Sequence, residues 1–233
     1  MVEARRAQPG SVRGLTPAIH LHPEVPMPVS MRSWACVFAV LAAAPLAAAP
    51  RTYVVDPAQS AVRIHVGKSG AFSFAGHTHE VAAPVLSGEV TADPADLAAS
   101  RVALTFEAGA LKVRPEGEPA GDPPKVEEAM RGPKVLDAAR FPTISFKSQR
   151  VSGREAGGGA YDLELAGEIA LHGVTRPITL PVHVEVAGDT LTASGKAVLR
   201  HDQFGMQPVS VAGGSVKVKN EIAIDYRIVA RGR

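Results

Sequence analysis

Cysteine is almost absent from this sequence of 233 residues, because Cys36 is the only one. Cys36 lies inside an apolar run near the N-terminus, so everything beyond that run lacks a thiol. Disulfides, thiol catalysis and thiolate metal sites are therefore excluded for the rest of the chain. A lipid anchor at Cys36 is not expected, because a lipoprotein signal places its cysteine after the apolar run.

An excess of charge of either sign is also missing. The chain carries 25 basic and 23 acidic residues, and removing residues 1–49 leaves 21 of each. A neutral domain lacks the basic footprint of a nucleic-acid-binding protein, so we expect no nucleic-acid partner. A nucleophile elbow, a phosphate-binding glycine loop and an HExxH motif are missing as well. We therefore expect a protein that is not an enzyme and needs no cofactor.

The N-terminal part has the pattern of a secretory signal peptide. A short basic start at Met31 precedes an apolar run at residues 34–46 and a small-residue cleavage site at residues 47–49. The run is shorter than the roughly 20 apolar residues that span a bilayer, which argues against a permanent membrane anchor. We expect residues 31–49 to be removed and residues 50–233 to form a periplasmic or secreted domain.

Residues 1–30 do not fit this signal, because a signal peptide starts close to the true N-terminus. We expect translation to begin at Met31 or Met27, which makes the upstream segment an artefact of the assigned start. A disordered extension is the alternative. We assign the segment no function in either case.

The remaining sequence alternates apolar and polar residues in one segment after another, as half-buried β-strands do. Residues 62–66, 102–106, 161–165 and 182–186 show this alternation, and short polar turns separate the segments. One short helix is predicted at residues 124–131, between a proline pair and a Gly-Pro pair. About eight strands with almost no helix predict an all-β antiparallel barrel or a sandwich.

The segment GEIALHGVTRPITLPV at residues 167–182 is the most informative part of the sequence. Its two alternating runs flank a tight polar turn, which predicts a β-hairpin, and it closely resembles the signature hairpin of the YceI-like family. Residues 53–57, 141–148 and 200–206 also resemble motifs of that family, in the same order. The resemblance implies an eight-stranded antiparallel lipocalin-like barrel with one short helix. It also implies a long isoprenoid or fatty ligand, and it allows a homodimer.

Two departures from the family pattern bear on the head group of such a ligand. Many members carry an Arg-Asp-x-His-Leu segment where residues 126–130 read VEEAM, and a histidine that often ends the first long strand is replaced around Lys68. The GHTH motif at residues 76–79 instead resembles a branch with a Gly-His-x-His motif. If the replaced groups hold a pyrophosphate in other members, this chain binds a different head group.

Alternation also gives candidates for the lining of the barrel. A hydrocarbon ligand requires only an apolar lining, since each buried methylene contributes about 0.8 kcal/mol. The candidate lining residues are Phe72, Phe74, Phe106, Phe146, Leu163, Ile178, Val184 and Val198. Because alternation defines a face without saying which side points inward, a dry core formed by some of them is the alternative.

Four residues are candidates for contact with the head group: His77, His79, His172 and Arg200. Arg200 is the candidate for a buried cation, because a guanidinium binds phosphate or carboxylate through two parallel hydrogen bonds. His172 has a structural alternative in the hairpin turn, where Gly173 would adopt a positive φ.

His77 and His79 also support a second hypothesis, a metal-binding protein or metal-dependent hydrolase. Residues two apart on a strand face the same way, so the two imidazoles can share a metal ion that His172 and His201 complete. Glu80 would then orient one ring. The spacing alone supplies no third or fourth ligand, so a lipid binder without a metal is the favoured function.

Overall fold

Twelve strands and one α-helix make up the part of the chain that a computed structural model describes, which comprises residues 49–69, 78–211 and 216–233. The strands are β1 (Arg51–Val55), β2 (Ala61–Ser69), β3 (His79–Ala82), β4 (Val85–Ala92), β5 (Arg101–Glu107), β6 (Lys112–Val113), β7 (Thr143–Gly157), β8 (Ala160–Leu171), β9 (Val174–Ala187), β10 (Thr190–Arg200), β11 (Ser210–Val211) and β12 (Val216–Gly232). The helix α1 (Asp122–Arg131) lies between β6 and β7. The predicted signal peptide, Phe72, Phe74 and His77 lie outside the described residues.

Eight strands form a closed ring in which every neighbouring pair is antiparallel. The ring runs in the order β1, β4, β5, β7, β8, β9, β10 and β12, and β12 pairs again with β1. The closing pair places Tyr53 opposite Gly232 and Val55 opposite Ala230. The strands β2, β3 and β6 extend the wall, since β2 pairs with β12 and β3, and β3 pairs with β6. The prediction of an eight-stranded antiparallel barrel with one short helix is confirmed.

The two ends of the barrel are built from different elements. At the helix end lie α1, the 3-10 turn His201–Phe204 and the hairpin turn at residues 172–173. At the hairpin end lie the tight turns at residues 157–160 and 188–189 and the connection at residues 93–100. The strands carry the chain back and forth between these ends.

The signature hairpin forms as the sequence predicts, and its turn explains two residue types. His172 has φ 53° and Gly173 has φ 72°, so both turn residues are left-handed, as a tight two-residue hairpin turn requires. A Cβ at Gly173 would collide with the ring of Phe141, so this position needs glycine for space as well. The predicted positive φ at Gly173 is confirmed.

The core consists of two clusters of buried apolar side chains, one in each half of the barrel. Tyr53, Phe146 and Leu191 belong to the cluster in the half near the hairpin end. Leu171 and Phe204 belong to the cluster near the helix end. Side chains that pack against both clusters join them into one interior: Val62, Phe106 and Ile178.

Within the described part of the chain, the structure contains no helix that is both long and apolar enough to cross a membrane.

Candidate ligand-binding cavity

A cavity of about 860 Å³ lies inside the barrel. All eight strands of the ring contribute to its lining, and it reaches from Met130 on α1 to Leu97 near the hairpin end. Most lining side chains are aliphatic or aromatic, because the inward positions of the alternating strands are apolar. The volume lies within the range of about 300–1,000 Å³ that is typical of small-molecule sites. The barrel is therefore hollow and apolar rather than filled by its own side chains.

Five of the predicted lining residues face this cavity: Phe106, Phe146, Leu163, Ile178 and Val184. They lie on β5, β7, β8 and β9, which are consecutive in the ring. Contact of these side chains with a ligand stays a prediction.

Val198 points away from the cavity, contrary to the prediction. It is 62% exposed on the outer face of β10, whereas its neighbours Ala197 and Leu199 line the interior. The sequence has three apolar residues in a row here, so alternation alone does not determine which of them points inward.

Tyr226 is an interior residue that the sequence analysis missed. It lies on β12 among cavity-lining isoleucines, and its hydroxyl donates a 2.8 Å hydrogen bond to the carbonyl oxygen of Pro181 on β9. Burial raises the pKa of Tyr226 to about 12, so the phenol stays protonated well above physiological pH. Gly195 lies between them on β10 and leaves room for the ring. The alternation in residues 222–228 is the signal that could have identified this face.

His79 is the predicted head-group residue that the structure places at the cavity. Its Nδ1 lies 2.8 Å from Oε1 of Glu118, whose side chain is only 2% exposed. The other oxygen of Glu118, Oε2, is buried and has no hydrogen-bond partner among the described residues. Further polar residues line the same end of the cavity: Lys68, Asp122, Lys125 and Lys217. Several polar side chains therefore line the helix end, and Arg51, Asp93 and Ser100 line the hairpin end.

His172 and Arg200 do not line the cavity. The Nδ1 of His172 lies 2.9 Å from the carbonyl oxygen of Phe204, so its ring connects the hairpin turn to the 3-10 turn. The guanidinium of Arg200 lies 3.0 Å from Asp202 and 3.3 Å from Glu221, and its side chain is 44% exposed. The prediction of Arg200 as a buried cation was wrong, because outward-facing acids on the barrel surface already pair with it.

The described residues contain no group of three or more His, Cys, Asp and Glu side chains arranged to hold a metal ion. His79 faces Glu118, and Nδ1 of the buried His201 lies 3.0 Å from the carbonyl oxygen of Asn220. His77, the other half of the proposed metal pair, lies outside the described residues.

Comparison with known proteins settles the family. A model of the YceI-like domain matches residues 53–230, which is most of the chain. The chain belongs to the YceI-like family. The predicted membership of the YceI-like family is thereby confirmed.

Relatives of this YceI-like protein occur in Vibrio. A UPF0312 protein of Vibrio cholerae serotype O1 is 26% identical over 189 residues, which cover 78% of this chain and 89% of the relative. A UPF0312 protein of Vibrio vulnificus is 27% identical over 152 residues, which cover 64% of this chain and 71% of the relative.

Two solved structures share the fold of this YceI-like protein. BcnA of Burkholderia cenocepacia superposes with a TM-score of 0.57 at 23% identity, covering 75% of this chain and 98% of BcnA. A polyisoprenoid-binding domain of Saccharophagus degradans, implicated in plant cell wall breakdown, superposes with a TM-score of 0.54 at 12% identity. That match covers 78% of this chain and 98% of the domain. At these identities the comparison shows a common architecture.

The helix α1 covers the helix end of the YceI-like barrel with a narrow apolar face. Val126, Ala129 and Met130 line the cavity, and their spacing puts them on one side of the helix. Glu127 fixes the helix to the wall, because it accepts hydrogen bonds from the N–H of Val113 at 3.1 Å and from Lys112 at 3.1 Å. Burial alone would raise the pKa of Glu127, but these hydrogen bonds lower it overall.

Replacing Glu127 by alanine is expected to loosen α1. Because the carboxylate accepts hydrogen bonds from a charged side chain and from the backbone, we expect the free energy of unfolding to fall by about 1–2 kcal/mol. The lowered pKa means that this stabilisation is present at neutral pH and is lost as pH falls through the folded-state pKa, below 4.5. Chemical denaturation at pH 7 and at pH 3 measures both effects. Equal destabilisation at the two pH values would contradict the assignment, and Glu128→Ala on the exposed side is the control.

Proposed function

We propose that this YceI-like protein binds a long-chain apolar or amphiphilic lipid, in the first instance a polyisoprenoid, inside the barrel. The observation that carries the proposal is the 860 Å³ cavity, whose lining is apolar over most of its length. The polyisoprenoid-binding domain of Saccharophagus degradans shares this architecture and supports the choice of ligand class. We propose a binder or carrier rather than an enzyme.

Simple energetics favour a hydrocarbon chain as the occupant. Burying ten methylenes contributes about 8 kcal/mol, which corresponds to a Kd of about 1 µM before the cost of ordering the chain. No polar contact is needed for affinity of this order. The chain would lie between Leu97 at the hairpin end and Met130 at the helix end.

The head group would lie at the helix end. Among the described residues, Lys125 and Lys217 line the cavity there, together with Asp122, which pairs with Lys125 at 3.5 Å. Cationic side chains at this end favour an anionic or strongly hydrogen-bond-accepting head group. His79 supplies a further polar ring nitrogen at the same end.

We further propose that residues 31–49 are a cleaved signal peptide and that the barrel acts in the periplasm or outside the cell. Support comes from the sequence pattern described above. Expression from Met1 and, separately, from Met31 tests this, with the mass and cellular fraction of each product as the readout. An uncleaved, cytoplasmic product from both starts would overturn this part of the proposal.

The binding proposal is tested by native mass spectrometry of the purified protein before and after extraction with organic solvent. We expect an adduct that the solvent removes and that proves to be a prenyl or fatty species. A bare protein that also fails to take up added polyprenol would overturn the proposal. A mass increased only by a metal ion would favour the metal-binding hypothesis instead.

A further inference from the structure

The barrel wall is incomplete between two neighbouring strands. The ladder of β9 and β10 pairs residues 182–187 with residues 190–195 and stops at the pair Val182–Gly195. Beyond it, residues 174–181 of β9 still pair with β8, and residues 196–200 of β10 still pair with β12. Between these two segments no strand pairing is found in the described part of the chain. We call this opening the β9–β10 window.

Two prolines explain why the ladder stops. Leu171 and Val174 flank the two-residue turn as a hydrogen-bonded pair, so Val174 and the other even-numbered residues of β9 direct their N–H and C=O groups towards β8. The odd-numbered residues of β9 therefore direct theirs towards β10. Pro177 and Pro181 occupy two of these positions and cannot donate a hydrogen bond to β10. The wall therefore opens where the sequence removes the donors that would close it.

Side chains hold both ends of the β9–β10 window. At the end of the window next to the Val182–Gly195 pair, the hydroxyl of Tyr226 donates to the carbonyl oxygen of Pro181, which points towards β10. At the end of the window next to the turn at residues 172–173, the guanidinium of Arg176 donates a 2.8 Å hydrogen bond to the carbonyl oxygen of Gln203, and His172 contacts Phe204. The opening is thus a braced feature of the fold rather than a frayed edge.

The β9–β10 window leads towards the interior. A surface concavity lies over it, and Ile169, Ile178 and Leu199 line both this concavity and the main cavity. The outer rim carries Val198, which is 62% exposed, and the exposed Pro177. These three aliphatic side chains therefore lie between the cavity and an apolar rim on the surface.

We propose that the β9–β10 window is a lateral portal through which a hydrocarbon chain enters and leaves the barrel. This inference rests on the proposed lipid-binding function and adds the route of exchange. Rotation of the Ile178 and Leu199 side chains would open the route without breaking any strand pairing.

The occupant of the portal is a lipid chain rather than an added β-strand. A peptide strand needs donors on the edge that it joins, and Pro177 and Pro181 remove two of them from β9. A hydrocarbon chain needs no hydrogen bonds and gains from contact with the apolar rim. If the window instead captured a peptide strand, a covalent bridge across it would leave the rates of lipid exchange unchanged.

A covalent bridge across the window is the decisive experiment. Thr179 and Val198 would be opposite each other if the ladder continued, and both lie on the exposed outer face. The full chain carrying Thr179→Cys and Val198→Cys in a Cys36→Ser background is treated with a short bis-maleimide. A fluorescent polyene fatty acid, cis-parinaric acid, is the probe, and stopped-flow fluorescence gives its association and dissociation rates.

We expect the bridge to slow both rates by at least about tenfold while leaving the Kd unchanged, because closing a route affects entry and exit equally. The matched control links Ala166→Cys to the same Thr179→Cys across the intact β8–β9 ladder, and its rates should stay within about twofold of the unbridged protein. Unchanged exchange in the bridged window would overturn the portal. Failure of the unmodified protein to bind the probe or polyprenol would overturn the proposed function itself.

A second variant closes the window without a cross-linker. Pro177→Val together with Pro181→Val restores the two donors on β9, so the ladder can extend along β10. We expect stronger hydrogen-exchange protection of the amides of Lys196, Val198 and Arg200, together with slower exchange of the probe. Stronger protection of these amides with unchanged association and dissociation rates of the probe would overturn the portal.

Discussion

Phe106→Glu is expected to abolish retention of a lipid by the folded barrel. Phe106 faces the cavity from β5 and packs against both halves of the core. A carboxylate at this position would require several kcal/mol of desolvation beside a hydrocarbon chain, which corresponds to at least about a hundredfold loss of affinity. Titration with cis-parinaric acid or polyprenol measures the loss.

Two matched variants separate binding from folding in this experiment. Leu86 on β4 is 58% exposed, so Leu86→Glu adds the same charge outside the barrel and should leave the affinity unchanged. Phe106→Leu keeps the lining apolar and should retain most of the affinity. Circular dichroism must show a folded Phe106→Glu protein. Full retention by that folded variant would remove Phe106 from the binding surface.

Gly195→Ala is expected to be among the most destabilising single-methyl additions in the barrel. A Cβ at this position would lie well under 3.0 Å from both the carbonyl oxygen of Pro181 and the hydroxyl of Tyr226. The ring of Tyr226 must therefore move and its hydrogen bond to Pro181 must break. We expect a loss of about 3 kcal/mol in unfolding free energy, or about 6–12 °C in Tm.

The controls for Gly195→Ala isolate the collision from the lost hydrogen bond. Tyr226→Phe removes only the hydroxyl and should reduce stability by about 1 kcal/mol. Gly109→Ala adds a methyl group with no atom closer than 4.0 Å and should leave Tm nearly unchanged. Equal losses for Gly195→Ala and Gly109→Ala would mean that the ring of Tyr226 is not confined.

Most of the fold could be predicted from the sequence because strand alternation and turn chemistry are local. The hairpin at residues 167–182, its left-handed Gly173 and the short helix near residues 124–131 all form as expected. Alternation became ambiguous where apolar residues follow one another without interruption. At residues 197–199 the choice of face depends on the register with β12, which no local pattern contains.

The polar part of the site was harder to predict because its partners are distant in the sequence. Glu118 contacts His79 across 39 residues, and Tyr226 reaches Pro181 across 45. Glu118 lies in a Pro- and Gly-rich stretch that has the composition of a solvated loop. Arg200 was misplaced for a related reason, since Glu221, which pairs with it, lies on β12.

The β9–β10 window could not be predicted from the sequence without the pairing of β9 with its two neighbouring strands. Pro177 and Pro181 are four residues apart, and a proline in a strand indicates a free edge. Sequence alone did not show that both prolines face β10 rather than β8. That assignment requires the length of the turn at residues 172–173, which sets the parity of the whole strand.

The closing pair of the ring also determines when the protein can fold. Tyr53 and Val55 have their partners at Gly232 and Ala230, so the ring remains open until β12 has been synthesised. A shorter nascent chain presents strand edges and apolar faces that invite aggregation. Pairing between such distant residues makes folding slow, which prolongs the exposure of these edges.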